Sequence, residues 1–176
     1  MLNCKIHTGY LNPCETSMGG VKRLAIANWS PDHDFVNSTG DCEVDTISLD
    51  GEEVFYELQV LEGTGSASAE LQTGSTVDQK YLLHTVAGTI GKLNCDLLED
   101  FDKFILAKVI FAVEDKNGDV FIYGEKNGLQ ADTFNYTTGA AEGDAHGISF
   151  SYSGGQPCAP VKVASWDVVK SVMAQN

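Results

Sequence analysis

Residues 109–124 do most to limit the fold. Val109-Ile110-Phe111-Ala112-Val113-Glu114 and Val120-Phe121-Ile122-Tyr123 are rich in β-branched and aromatic residues, and Asp115-Lys116-Asn117-Gly118-Asp119 separates them. Asn-Gly between two such runs is the strongest short-range hairpin signal, because both residues tolerate the positive φ of a tight reversal. The acids of this loop invite a calcium reading. An EF-hand loop, however, needs glycine at its sixth position, and here glycine stands at the fourth. The stretch is read as a hairpin.

The same punctuation runs through the rest of the chain. Eighteen glycines against four prolines in 176 residues imply many turns, and so many short strands. Residues 21–29 are expected as a strand, broken by Ser30-Pro31-Asp32. Residues 41–49 alternate acids with Cys42, Val44, Thr46 and Ile47, the pattern of a strand with one wet face. Asp50-Gly51 then predicts a second hairpin whose return strand is 54–61. Residues 63–69 are small and are read as a loop or hairpin tip projecting around 62–76. Further strands are expected at 79–90, 130–137 and 147–154. In the first of these, Leu82, His84 and Val86 share one face, and Tyr81, Leu83, Thr85 and Ala87 the other. The tail, 161–172, admits a strand, a short helix or a docking arm.

One helix stands out. Asp96 is placed as an N-cap, Glu99 closes a capping box, and Leu97, Leu98, Phe101, Phe104 and Ile105 fall at helical spacing. Residues 1–20 show no sustained period and are read as an N-terminal arm, with 21–176 as a single domain. The residues read as a mainly β domain with one helix.

Charge narrows the function classes. The formal net charge is −14, and between Arg23 and Lys80 the chain has no Lys or Arg but twelve Asp and Glu. A nucleic-acid reader needs a basic face to displace counterions from phosphates, and docking on an anionic membrane asks the same. Two readings of the acidity remain: a well-solvated surface, or a surface that must repel something negative. No secretory signal is visible and no apolar run reaches bilayer length, so a soluble protein made in a cytoplasm is expected.

Reactive groups do not converge. Cys4, Cys14, Cys42, Cys95 and Cys158 include no Cys-x-x-Cys, and His7, His33, His84 and His146 stand at no zinc-ligand spacing. Cys4 and Cys14 either pair or, like the others, remain reduced thiols. There is no Gly-x-Ser-x-Gly elbow, Walker loop, Rossmann fingerprint or His-Glu-x-x-His. A Cys–His dyad through Cys95 or Cys158 would have to form in space. No enzyme activity, catalytic residue, cofactor or metal is therefore assigned, and Trp29 and Trp166 are read as core or interface anchors.

The succession of helix, Asn-Gly hairpin, Asn127-Gly128-Leu129 and then Thr137-Thr138-Gly139-Ala140-Ala141-Glu142-Gly143-Asp144-Ala145-His146-Gly147-Ile148-Ser149-Phe150-Ser151-Tyr152-Ser153-Gly154-Gly155 resembles the C-terminal half of tail tube proteins of tailed bacteriophages. It is most similar to those of phages of Bacteroidetes-type hosts, over residues 80–163. The opening Gly19-Gly20-Val21-Lys22-Arg23-Leu24-Ala25-Ile26-Ala27-Asn28 is similar too. The resemblance implies a mainly β fold, an antiparallel β-sandwich or barrel with one flanking α-helix, and a virion subunit whose copies form hexameric rings that stack into a tube conducting DNA without specific binding. Its partners would be further copies of itself and other tail or connector proteins. On that footing Asp45, Glu53, Glu57 and Glu62 are the expected lumen-facing acids. Gly63, Thr64, Gly65, Ser66, Trp29 and Trp166 are the expected inter-subunit contacts. The alternatives are another virion part (head–tail adaptor, tail terminator or capsid decoration) or a carbohydrate-binding β-sandwich using Trp29, Tyr56 or Tyr123.

Overall fold

The computed structural model describes residues 9, 16–38, 43–75, 79–91, 99–138 and 146–174. Its strands are β1 (Val21–Asn28), β2 (Asp34–Val36), β3 (Glu43–Val44), β4 (Thr46–Ser48), β5 (Tyr56–Glu57), β6 (Ser66–Thr73), β7 (Lys80–Ile90), β8 (Val109–Asp115), β9 (Val120–Tyr123), β10 (Gln130–Thr137), β11 (Gly147–Gln156) and β12 (Val161–Val163). Two short helices accompany them, α1 (Phe101–Leu106) and α2 (Trp166–Lys170). A six-stranded sheet runs β3-β12-β9-β8-β1-β5, a four-stranded sheet β10-β11-β7-β6, and a two-stranded ribbon pairs β2 with β4. This is a mainly β, sandwich-like fold without a closed barrel among the described residues.

The unbroken apolar runs explain why the six-stranded sheet lies in the middle. Six of the seven residues of β8 are buried, as are Leu24, Ala25, Ile26 and Ala27 of β1. Successive side chains on a strand point to opposite faces. A strand buried at every position must therefore have cover on both. One face, with Ala25, Ala27, Ile110, Ala112, Val120 and Ile122, packs against the ribbon, α2 and Phe55. The other, with Leu24, Ile26, Val109, Phe111, Val113 and Tyr123, meets Val86, Phe150 and Tyr152 of the four-stranded sheet. Small alanines on the first face leave room for Trp166, which is 6% exposed.

The hairpin at 115–119 forms as expected. Glu114 pairs with Val120, and the Asp115 amide donates to the Asp119 carbonyl across a three-residue loop. Gly118, at φ +95°, takes the left-handed position that a side chain would strain. Asp115 organises the loop by accepting from the amides of Asn117 and Asp119 and from the Asn117 side chain. Partial burial raises the Asp115 pKa, but these bonds outweigh it and hold the carboxyl below its usual range. Its oxygens serve the turn.

Several expectations are corrected. Asp50-Gly51 does turn, but the flanking runs do not pair with each other. β4 returns to β2 and β5 joins β1, because Phe55, fully buried, is drawn instead to the C-terminal segment, with bonds from the Phe55 amide to the Val172 carbonyl and from the Ala174 amide to the Phe55 carbonyl. Asp45, accepting from the Ser38 amide and hydroxyl, interrupts the strand expected at 41–49. The small residues expected to project as a loop around 62–76 instead form most of β6, paired along eight residues with β7. The helix is confirmed as α1, with Phe101 and Phe104 against Phe134 at ring centroid distances of 4.8 and 5.9 Å. The Asp96 cap lies outside the described residues. The tail resolves into β12 followed by α2.

Candidate assembly surface

The two main sheets differ at their edges. The six-stranded sheet ends in β3 and β5, each of two residues. The four-stranded sheet ends in β6 and β10, each of eight residues, and among the described residues neither meets another strand on its outer side. Short edges are a common protection against unwanted pairing, whereas long ones offer a row of backbone donors and acceptors. β6 also lacks the usual guards, having no proline and no lysine.

The same sheet has one open face. Its inner side is set by the buried His84 and Val86 of β7 and by Ile148, Phe150, Tyr152 and Gln156 of β11. The alternate positions therefore point outward: Ser66, Ser68, Glu70 and Gln72 on β6, and Tyr81, Leu83, Thr85, Ala87 and Thr89 on β7. Ser149, Ser151 and Ser153 on β11 continue the surface to Thr133 and Asn135 on β10. It is a hydroxyl- and amide-rich sheet face. Glu70 supplies an acid and Asp132 stands at the β10 bulge, while no outward position of these four strands is Lys or Arg.

The expected lumen acids lie elsewhere. Asp45 follows β3 beyond the far edge of the six-stranded sheet, held below its usual range chiefly by the Ser38 hydroxyl. Glu53 accepts from the Asn28 side chain at 2.9 Å. Glu57 pairs with Ala25 on β5. Glu62 stands 3.9 Å from Lys116 at the opposite end of β1 from Glu53. Four acids chosen for proximity in sequence are thus spread around the central sheet, and none lies on the open face.

The expected contact residues divide as well. Ser66 begins the free edge strand β6, and Gly65 sits where a Cβ would meet Val21 at 2.9 Å. Thr64 ties the connection between β5 and β6 to β7, its hydroxyl accepting from the Thr89 amide at 3.2 Å, and Gly63 turns the chain there at φ +78°. Trp166 is a core residue, and Arg23 lies over its ring at 5.8 Å. Trp29 is half-buried, with Lys108 over its ring at 4.0 Å and its indole N–H on the Glu125 carbonyl. Both tryptophans have partners within the chain, Trp166 as a core anchor and Trp29 half-buried at its edge.

Polar groups inside the sandwich act on structure. Glu114, 5% exposed, receives the Lys22 ammonium at 2.8 Å, and Arg23 Nε stands 3.0 Å from its other oxygen as an ion pair without hydrogen-bond alignment. Gln156 accepts from the Lys126 and Asn127 amides and donates to the Gly128 carbonyl. His84, 2% exposed, accepts at Nδ1 from the Gly124 amide, which makes Nε2 the donor to the Cys158 carbonyl. Among the described residues this is the meeting of a cysteine with a histidine, and it runs through the backbone, leaving the thiol out.

Burial lowers the His84 pKa from its ordinary value of 6.5, with the Cys158 hydrogen bond opposing. Protonation would also turn Nδ1 into a donor facing another donor. The unfolded chain therefore binds the proton more tightly, so the contribution of His84 is fully present above the ordinary imidazole range and lost as pH falls through the depressed value. The melting temperature of wild type should drop more between pH 7 and pH 5 than that of His84→Gln. Parallel curves would refute this assignment.

No protein-family model matches this chain, and no curated protein or solved structure proved similar to it.

Proposed function

We propose that the chain is a structural subunit that assembles with copies of itself into stacked rings, six to a ring, forming a phage tail tube through which DNA passes. The observation that carries this reading is the four-stranded sheet with two long edges, β6 and β10, that meet no further strand among the described residues. Its strands alternate in direction throughout, so β6 and β10 run oppositely. A second copy related by simple rotation then brings its β10 antiparallel to β6, and the alternation continues from copy to copy. Such head-to-tail contacts close into rings when the rotation allows.

Six four-stranded sheets contribute twenty-four strands. At about 4.8 Å per strand the wall has a circumference of about 115 Å, a backbone diameter near 37 Å before strand tilt widens it. Natural barrels with fewer strands already enclose water-filled channels. With the open face turned inward, the wall is hydroxyl-lined, carries acids and offers phosphates no cation. The net charge of −14 reinforces that repulsion.

Negative-stain microscopy of the purified chain, with sedimentation over a wide concentration range, tests the proposal. Rings or filaments with a stain-filled centre are expected. Single rings that never stack would redirect the reading to a head–tail adaptor or tail terminator. A monomer at every concentration would end it.

A further inference from the structure

The two free edges are complementary in side-chain size. On the inward side β6 presents Ala67, Ala69 and Leu71, while β10 presents Phe134 and Tyr136. Leu71 is 62% exposed and Tyr136 44%, which is unusual for apolar residues on the core side of a sheet. On the outward side the strands carry Ser66, Ser68, Glu70 and Gln72 against Thr133 and Asn135. Large inward residues on one edge thus stand ready to fill the space left by small ones on the other.

Resting on the assembly reading above, we infer that β6 of one copy pairs with β10 of the next in a single register: Ala67 opposite Tyr136, Ser68 opposite Asn135, Ala69 opposite Phe134 and Glu70 opposite Thr133. Parity comes first. A slip of one residue would send Phe134 and Tyr136 to the hydroxyl face and Ser68 into the apolar layer, because side chains alternate with period two. Slips of two residues keep the faces, and packing decides among them. One carries Tyr136 past the start of β6, opposite Gly65, so that its ring lies beyond the paired strand. The other sets Leu71 directly opposite Phe134, two bulky groups together, and leaves Ala69 facing Tyr136. The inferred register gives each aromatic ring an alanine. It also leaves Leu71 diagonal to Phe134, within reach of an aromatic side chain. Glu70 faces Thr133, so no two acids are opposed.

This pairing gives the shared apolar layer continuity across the junction. α1 already packs on the inward side of β10 through Phe101 and Phe104 against Phe134. Seating Ala69 of the next copy beside Phe134 extends that cluster from one subunit to its neighbour.

Cysteine cross-linking tests the register. Directly opposed residues on antiparallel strands lie within disulfide reach, whereas partners displaced by two residues do not. Ser68→Cys with Asn135→Cys, both on the hydroxyl face and clear of the core, should give a ladder of covalent oligomers on mild oxidation that collapses to monomer on reduction. Ser68→Cys with Thr133→Cys, Ser68→Cys with Thr137→Cys, and each single variant should stay at the background set by the native thiols. Assemblies seen by microscopy in which only a displaced pair cross-links overturn the register while leaving the assembly reading intact. Assemblies in which no β6–β10 pair cross-links overturn the pairing of these edges. A chain that never assembles ends both.

Discussion

Replacing Phe111 by alanine is expected to cost about 3–5 kcal/mol of stability, the range for emptying a large aromatic site in a core. Phe111 is fully buried on the central sheet, and the two rings it meets belong to the other sheet: Phe150, stacked at 6.4 Å, and Tyr152, edge-on at 5.1 Å. These contacts join the sandwich. Aromatic pairs contribute about 0.5–1.5 kcal/mol beyond their buried area, so the loss should fall near the upper end of that range. Domains of this size are commonly stable by only about 5–15 kcal/mol, and the variant would sit near the margin. Urea unfolding of the dissociated subunit, followed by Trp29 and Trp166 fluorescence, measures it. Ser149→Ala, on the open face, should change stability by less than about 0.5 kcal/mol. If the two variants unfold at the same urea concentration, Phe111 does not hold the sheets together.

Residues that fold for local reasons were legible in the sequence. Asn117-Gly118 specified its turn because the left-handed backbone at residue 118 is a local demand. The runs on either side became β8 and β9 because they are β-branched and aromatic throughout. β7 was legible too, with His84 and Val86 on its buried face as the alternation required. The Asp50-Gly51 hairpin failed because pairing is settled at long range. Phe55 belongs to a core built with Trp166 and Val169, more than a hundred positions on in the chain, and no window around Asp50 records that. β6 failed for another reason. Ser66-Ala67-Ser68-Ala69-Glu70 alternates with the right period, but serine and alanine are weak strand formers and the glycines before them signal a loop. The signal was the period itself, carried by residues too small to make it loud.

That misreading matters for the site, because β6 is one of the two edges on which assembly would depend. Choosing acids by closeness to an expected hairpin directed attention to Asp45, Glu53, Glu57 and Glu62, whereas the sheet with free edges offers Glu70 and Asp132. Which face of a strand meets solvent follows from alternation. Which of two sheets remains uncovered depends on where α2 and the β2–β4 ribbon pack, and only the tertiary structure gives that.

Placing lysines on the open face should turn a surface that DNA slides past into one that holds it. Thr85 and Ser151 lie on adjacent central strands, β7 and β11, on the outward side. Thr85→Lys with Ser151→Lys adds two cations per subunit away from both edges, so assembly should persist. Wild-type tubes should retain no duplex DNA at low salt. Tubes of the double variant should bind it, with log affinity falling against log salt at a slope of about −0.9 per phosphate neutralised. If six to ten phosphates are engaged, affinity should fall about 10³- to 10⁵-fold between 50 and 200 mM salt. The comparison that gives this meaning is Ser48→Lys with Gln59→Lys, an equal charge change at exposed positions off the four-stranded sheet. Electrostatics at a convex outer surface is screened within roughly 10 Å at these salt concentrations, whereas a channel surrounds the duplex with charge on every side. Retention should therefore be strong for the first pair and weak for the second. Equal retention by both would mean that the hydroxyl face does not line the channel, even if the rings form.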